Sequence, residues 1–146
     1  MLQRERIIEE LWSRLADVTG VQYTARNPKA PPSIENLPAI QFFELGDTVV
    51  SSSMRGGYPI YSRVVSIVIE AFVKGSSETA VGKELMDFIV EIKKQLYLTG
   101  TKMRSGAVIQ EVSSSRVLRP PVGANVAGMG LAIELRYIED VGTIMS

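Results

Sequence analysis

Serines stand in two triplets, Ser51–Ser53 and Ser113–Ser115. A serine hydroxyl becomes a nucleophile only when a positioned base takes its proton. The chain contains no histidine and no cysteine. That excludes histidine relays, thiolate nucleophiles, disulfides and Cys/His zinc sites. A Ser–Lys pair stays open, but Lys93 and Lys94 close an ordinary helical pattern and read as solvated charge. Carboxylates cluster as Glu9/Glu10, Asp87/Glu91 and Glu139/Asp140. All fit exposed helix or strand-end positions, and none has a paired acid–base spacing. No G-x-x-x-x-G-K-[ST] phosphate loop is present. Gly128-Met-Gly130 leads into a strand rather than a helix, so it is no dinucleotide fingerprint. Gly56-Gly57 also leads into a strand, and turn geometry accounts for it. No carboxylate run fits a calcium loop. The expectation is a protein without catalytic residues, cofactor or metal.

One charge asymmetry stands out. Lys102, Arg104, Arg116 and Arg119 face only Glu111 in their stretch of sequence. They read either as scattered surface charge or as a basic rim at a subunit interface or near passing DNA. Across the whole chain 16 Lys+Arg balance 16 Asp+Glu, so no generic nucleic-acid footprint exists. Zero net charge also removes one barrier to self-association. A chain of 146 residues favours one domain, 1–146. Residues 1–20 hold no apolar signal core, and the longest apolar run, Val64–Val73, is too short to span a bilayer. A protein made in the cytoplasm, without membrane partners, is expected. Absence of cysteine fits either redox compartment.

The elements that must carry these residues follow from periodicity. Residues 3–18 predict a helix with Ile7, Ile8, Leu11, Trp12 and Leu15 on one stripe, and with Arg6–Glu10 and Glu10–Arg14 pairs opposite. Residues 21–26 predict a short strand. The proline-rich 27–36 predicts an irregular loop. Leu37–Leu45 predicts a strand, and 46–57 a polar, glycine-rich loop. That loop reads either as a plain flexible connection or as an arm, mobile in the free subunit, that orders on a partner. Val49, Val50, Met54, Arg55 and Tyr58 are its candidate contact residues. Tyr61–Val73 predicts a long strand with Val65, Ile67, Ile69, Ala71 and Val73 on one face. Residues 78–98 predict a second helix with Val81, Leu85, Phe88, Ile89, Ile92 and Leu96 inward. Strands over 106–118 and Leu131–Ile138 complete the chain. Val108 and Val112 share one face of the first of these. The predicted core joins Trp12, Leu15, Ile67, Ile69, Phe88, Ile92, Ile133 and Leu135. The fold class is α+β, a mainly antiparallel β-sheet with two amphipathic helices on one face and a long hairpin loop.

This order of elements resembles the tail terminator, or tail completion, proteins of tailed bacteriophages. The resemblance rests on the helix Ile7–Leu15, the Leu-Pro-Ala-Ile strand Leu37–Phe43, the Arg-bearing strand Tyr61–Val73, the helix Val81–Leu96 and the last strand Leu131–Tyr137. It covers most of the chain as a pattern and includes no single diagnostic motif. It implies a structural virion protein at the head-proximal end of the tail, made in the host cytoplasm. Such a protein forms a homo-hexameric ring that caps the tail tube, with the sheath if the tail is contractile. The ring meets the neck or connector protein, and DNA passes through it without sequence-specific binding. Two alternatives are another neck protein, such as a head–tail joining factor, and a small α+β ligand-binding protein or enzyme.

Overall fold

A computed structural model describes residues 2–116 and 125–145. The order of elements is α1 (Gln3–Ala16), β1 (Tyr23–Arg26), a 3-10 turn (Ile34–Asn36), β2 (Ala39–Arg55), β3 (Tyr58–Lys74), α2 (Val81–Leu96), β4 (Leu98–Thr101), β5 (Val108–Arg116), β6 (Val126–Asp140) and α3 (Val141–Met145). Five strands form one sheet in the order β1-β2-β3-β6-β5. All its neighbours are antiparallel except β1 and β2. The α+β class is thus as expected, with β4 and α3 as elements that periodicity did not reveal.

One face of the sheet is covered by α1 and α2. The helices bury Ile7, Ile8, Leu11 and Leu15, and Leu85, Phe88, Ile89, Ile92 and Leu96. These meet Ile40, Phe42, Val65, Ile67, Ile69, Ile133 and Leu135 from the strands. Each such side chain contributes about 1.5–3 kcal/mol on burial, far more than a surface ion pair at ~0–1 kcal/mol. Packing, not helix propensity, therefore holds these short helices. Behind the sheet a smaller cluster joins Leu37, Ala39 and Phe72. Gly128 lies flat against the Phe72 ring, where an added Cβ would meet the ring at 2.6 Å.

Trp12 is not a core residue. It is 39% exposed and touches Phe42 only edge-on, with ring centroids 6.3 Å apart. The buried stripe centres on Leu11 and Leu15, and Trp12 lies about 100° round the helix from Leu11. The opposite flank is taken by Arg14, which is only 4% exposed. Its guanidinium donates to the Leu96 carbonyl at 2.7 Å, to Glu10 at 2.7 Å and to Thr99 Oγ1 at 2.8 Å, tying α1 to the end of α2. The Glu10–Arg14 pair is therefore internal rather than solvated. The expected Arg6–Glu10 pair does not form. The Glu10 carboxylate instead accepts the backbone N–H groups of Arg104 and Ser105 at 2.9 and 2.7 Å.

The second correction concerns 46–57. It is not a loop. β2 runs on to Arg55, β3 begins at Tyr58, and only Gly56 and Gly57 form the turn. Both have positive φ, +58° and +83°, the pair that a tight two-residue hairpin requires. Polar serines hid the strand, because their side chains face solvent on both sides and no apolar alternation survives. Val108 and Val112 are both exposed, and a register shift between Glu111 and Ser113 lies beside Val112.

Candidate interaction site at the hairpin arm

The arm is the far half of the β2–β3 hairpin, flanked by β6 as far as Ile60. β2 carries two irregularities, between Glu44 and Gly46 and between Val49 and Ser51. Each leaves one extra residue, Leu45 and Val50, unpaired. A bulge bends a strand and shifts its alternation. After the first shift Asp47 pairs with Val65 and so shares the helix side with Glu44, which pairs with Ile67. Without that shift Asp47 would face away.

Asp47 and Glu44 anchor a polar cluster at the root of the arm. Asp47 accepts hydrogen bonds from Arg4 at 3.3 Å, Arg63 at 3.4 Å and the Tyr137 hydroxyl at 2.9 Å. Glu44 accepts from Arg26 at 2.8 Å and Asn27 at 2.7 Å. Arg26 also reaches Glu5 at 2.7 Å, and Arg63 reaches Glu139 at 3.0 Å while lying over the Tyr61 ring. The cluster therefore links α1, β1, β2, β3 and β6 where the apolar core ends.

The charges answer this arrangement. Burial alone would raise the Glu44 carboxyl, but Arg26 and Asn27 outweigh it and hold the group below its usual value. The hydrogen bond from Arg26 lowers Glu5. Burial would lower Arg63, yet Glu139 and Asp47 keep its guanidinium raised. Burial and the bond to Asp47 push the Tyr137 hydroxyl up, so it stays a donor. No local period in the sequence marks this cluster. Its only signal was Glu44 and Asp47 in an otherwise apolar or serine-rich strand, opposite an Arg in the middle of the next.

Beyond the cluster the arm exposes apolar groups. Val49, Val50, Met54 and Tyr58 are all exposed, with Met54 at 67%. Arg55 reaches Asp140 of its own chain at 3.5 Å and is otherwise open, its side chain 76% exposed. Tyr58 lies beside Gly142 at the start of α3. The five candidate contact residues are thus gathered on one hairpin, although on both of its faces.

The basic residues are placed elsewhere. Lys102 and Arg104 are exposed between β4 and β5, at the far side of the sheet from β1. Glu111, their sequence neighbour, pairs with Lys93 at 3.2 Å. The Arg116 side chain and Arg119 lie outside the described residues, so no rim is assembled from all four. Among the described residues no cluster of His, Cys, Asp and Glu is arranged to hold a metal. No helix there is long and apolar enough to cross a membrane.

No protein-family profile and no curated protein matches the chain. Among solved structures, the chain is similar to the gp17 protein of bacteriophage SPP1, at 12% identity and a TM-score of 0.49, over 92% of this chain and 88% of that one.

Proposed function

We propose that the chain is a structural virion protein of a tailed bacteriophage, a tail terminator. Six copies close into a ring on the head-proximal end of the tail tube, stop its growth and present a surface to the neck. DNA passes through the ring without sequence readout, and the protein performs no turnover. The observation that carries this reading is the hairpin arm. It is a paired hairpin end with exposed Val50, Met54 and Tyr58, braced at its root by the Asp47–Glu44 cluster. Exposed apolar groups gathered on one element mark a contact surface. The element order that resembles tail terminators supports the same reading.

Electron microscopy of the purified protein, alone and added to polymerising tail tubes, tests it. Six-fold rings that end the tubes are expected. A monomer or two-fold dimer as the unit seated on the tube overturns the ring. Hydrolytic activity abolished by one Ser, Lys or carboxylate substitution overturns the mechanical reading.

A further inference from the structure

The sheet that forms the arm has two open edges. β1 pairs with β2 only as far as Phe42, so the rest of β2, to Arg55, has no strand beside it on that side among the described residues. β5 pairs with β6 only as far as Arg136, which leaves Tyr137–Asp140 open in the same sense. Along this second edge runs a groove of about 610 Å³, between the first turns of α1, the end of β6 and α3. Leu2, Ile138 and Ile144 line it and are all exposed, and Glu139 and Asp140 add carboxylates beside Arg6.

We propose that this groove receives the hairpin tip of a second copy of the chain. Val50 and Met54 seat against Leu2, Ile138 and Ile144, and Arg55 meets the Asp140 carboxylate. The inference rests on the ring reading above and names the contact that would build the ring. Three observations carry it. Arg55 is the only charged residue between Thr48 and Gly57, and the groove's Asp140 is the carboxylate it already reaches within its own chain, so tip and groove match in charge, while Glu139 is held by Arg63. Met54 does not line its own chain's groove and stays exposed, so within one chain it has no apolar partner surface there. Tip and groove lie side by side on one subunit, Arg55 being 3.5 Å from Asp140, so each copy can give its tip and receive another's. Such an exchange closes as a two-fold pair or passes on to a third copy as a ring or filament, and the ring reading above selects the ring. The bond of Arg55 to its own Asp140 is no obstacle. At 3.5 Å and with Arg55 this exposed, it is a weak surface pair that is easily exchanged.

The absence of native cysteine makes a clean test. The single variants M54C and I144C, both at exposed sites, are mixed and oxidised, with M86C on the exposed side of α2 as the control partner. The expected result is a disulfide between M54C and I144C chains, at least tenfold more abundant than M54C with M86C or M54C with itself. The double variant M54C/I144C should give a ladder that ends in a closed species. Adding V50D to this double variant should abolish the ladder while the folded spectrum is unchanged. Self-linked M54C as the main product, linking no better than to M86C, or no link at all overturns the docking. Micrographs separate this from the ring reading. Six-fold rings without the M54C–I144C link overturn the docking alone. Linked chains in open filaments or another ring number support the docking and overturn the hexamer.

Discussion

Glu44 and Asp47 are acidic residues on the helix-facing side of a strand, which needs a reason. The reason is that α1, β1 and β3 each deliver an arginine to them: Arg4, Arg26 and Arg63. Their worth depends on pH, and the sign is definite. Glu5 and Glu44, and Glu10 beside Arg14, have carboxyls lowered from 4.5 in the folded chain. For Glu10, burial opposes the shift, and hydrogen bonds from Ser105 and Arg104 overcome it. A lowered folded value adds stability above the unfolded value, and that stability is lost as pH falls through the folded one. The urea midpoint should therefore fall between pH 5 and about pH 3, within the acid range of carboxylate titration. E44Q should have a lower midpoint at pH 7 and a smaller acid-induced drop. Equal midpoints for the native chain at pH 7 and pH 3 would refute this account. Among apolar residues, Phe88 and Trp12 should separate. F88A empties a buried site and should cost about 3–5 kcal/mol. W12A loses an edge-to-face contact worth about 0.5–1.5 kcal/mol and some partial burial, so it should cost clearly less. Chemical denaturation of both variants decides, and an equal loss would return Trp12 to the core.

The hairpin and the last strand depend on glycine in two different ways. At Gly57 the requirement is backbone conformation, since φ is +83° with nothing near the missing Cβ. At Gly128 it is space, because a Cβ would press into the Phe72 ring. G128A should lower stability by about 1–3 kcal/mol, the usual cost of overpacking. F72L, by shrinking the neighbour, should make G128A nearly neutral in the double variant. Thermal melts of the three variants form the cycle, and additive losses would show that the clash is relieved elsewhere. The arm itself is separable from the core. Ser52 pairs with Tyr61, so replacing 53–60 by Asn-Gly keeps a two-residue turn between paired residues. This trimmed chain should keep its circular dichroism spectrum, because Met54, Arg55 and Tyr58 contribute nothing to the buried cluster.

For the ring proposed above, the trimmed chain has a sharper consequence. Without Met54 and Arg55 it should fail to close rings, and phage carrying it should show overlong tubes or tails without heads. Normal virions from the trimmed chain would reduce the arm to a mere connection between β2 and β3. The folded core places the arm root and the groove edge rigidly with respect to each other, through the cluster that ties α1, β2 and β6. In the proposed docking, a fixed angle between tip and groove would set the rotation between neighbours, and hence the number that closes. Variants at Asp47 should therefore change ring number or give open chains before they unfold the subunit, which class averages of D47N particles would reveal.

The α+β class, both main helices and the inward face of β3 were legible in the sequence, because each rests on a local period that burial imposes. Val65, Ile67, Ile69, Ala71 and Val73 alternate, and all five are buried. Leu85, Phe88, Ile89, Ile92 and Leu96 recur at helical spacing and are buried too. The two-glycine turn was written there as well, but serines on both faces concealed the strands beside it. Tertiary structure alone decided the rest. Trp12 and Arg14 exchanged the places their polarity suggests, because the partners of Arg14, Leu96 and Thr99, lie more than 80 residues away. Asp47 faces inward only because a bulge shifts the register of β2, and no period in the sequence records a bulge. The arm root and the groove are made of residues from both ends of the chain, so their meeting depends on sheet order rather than on any local pattern.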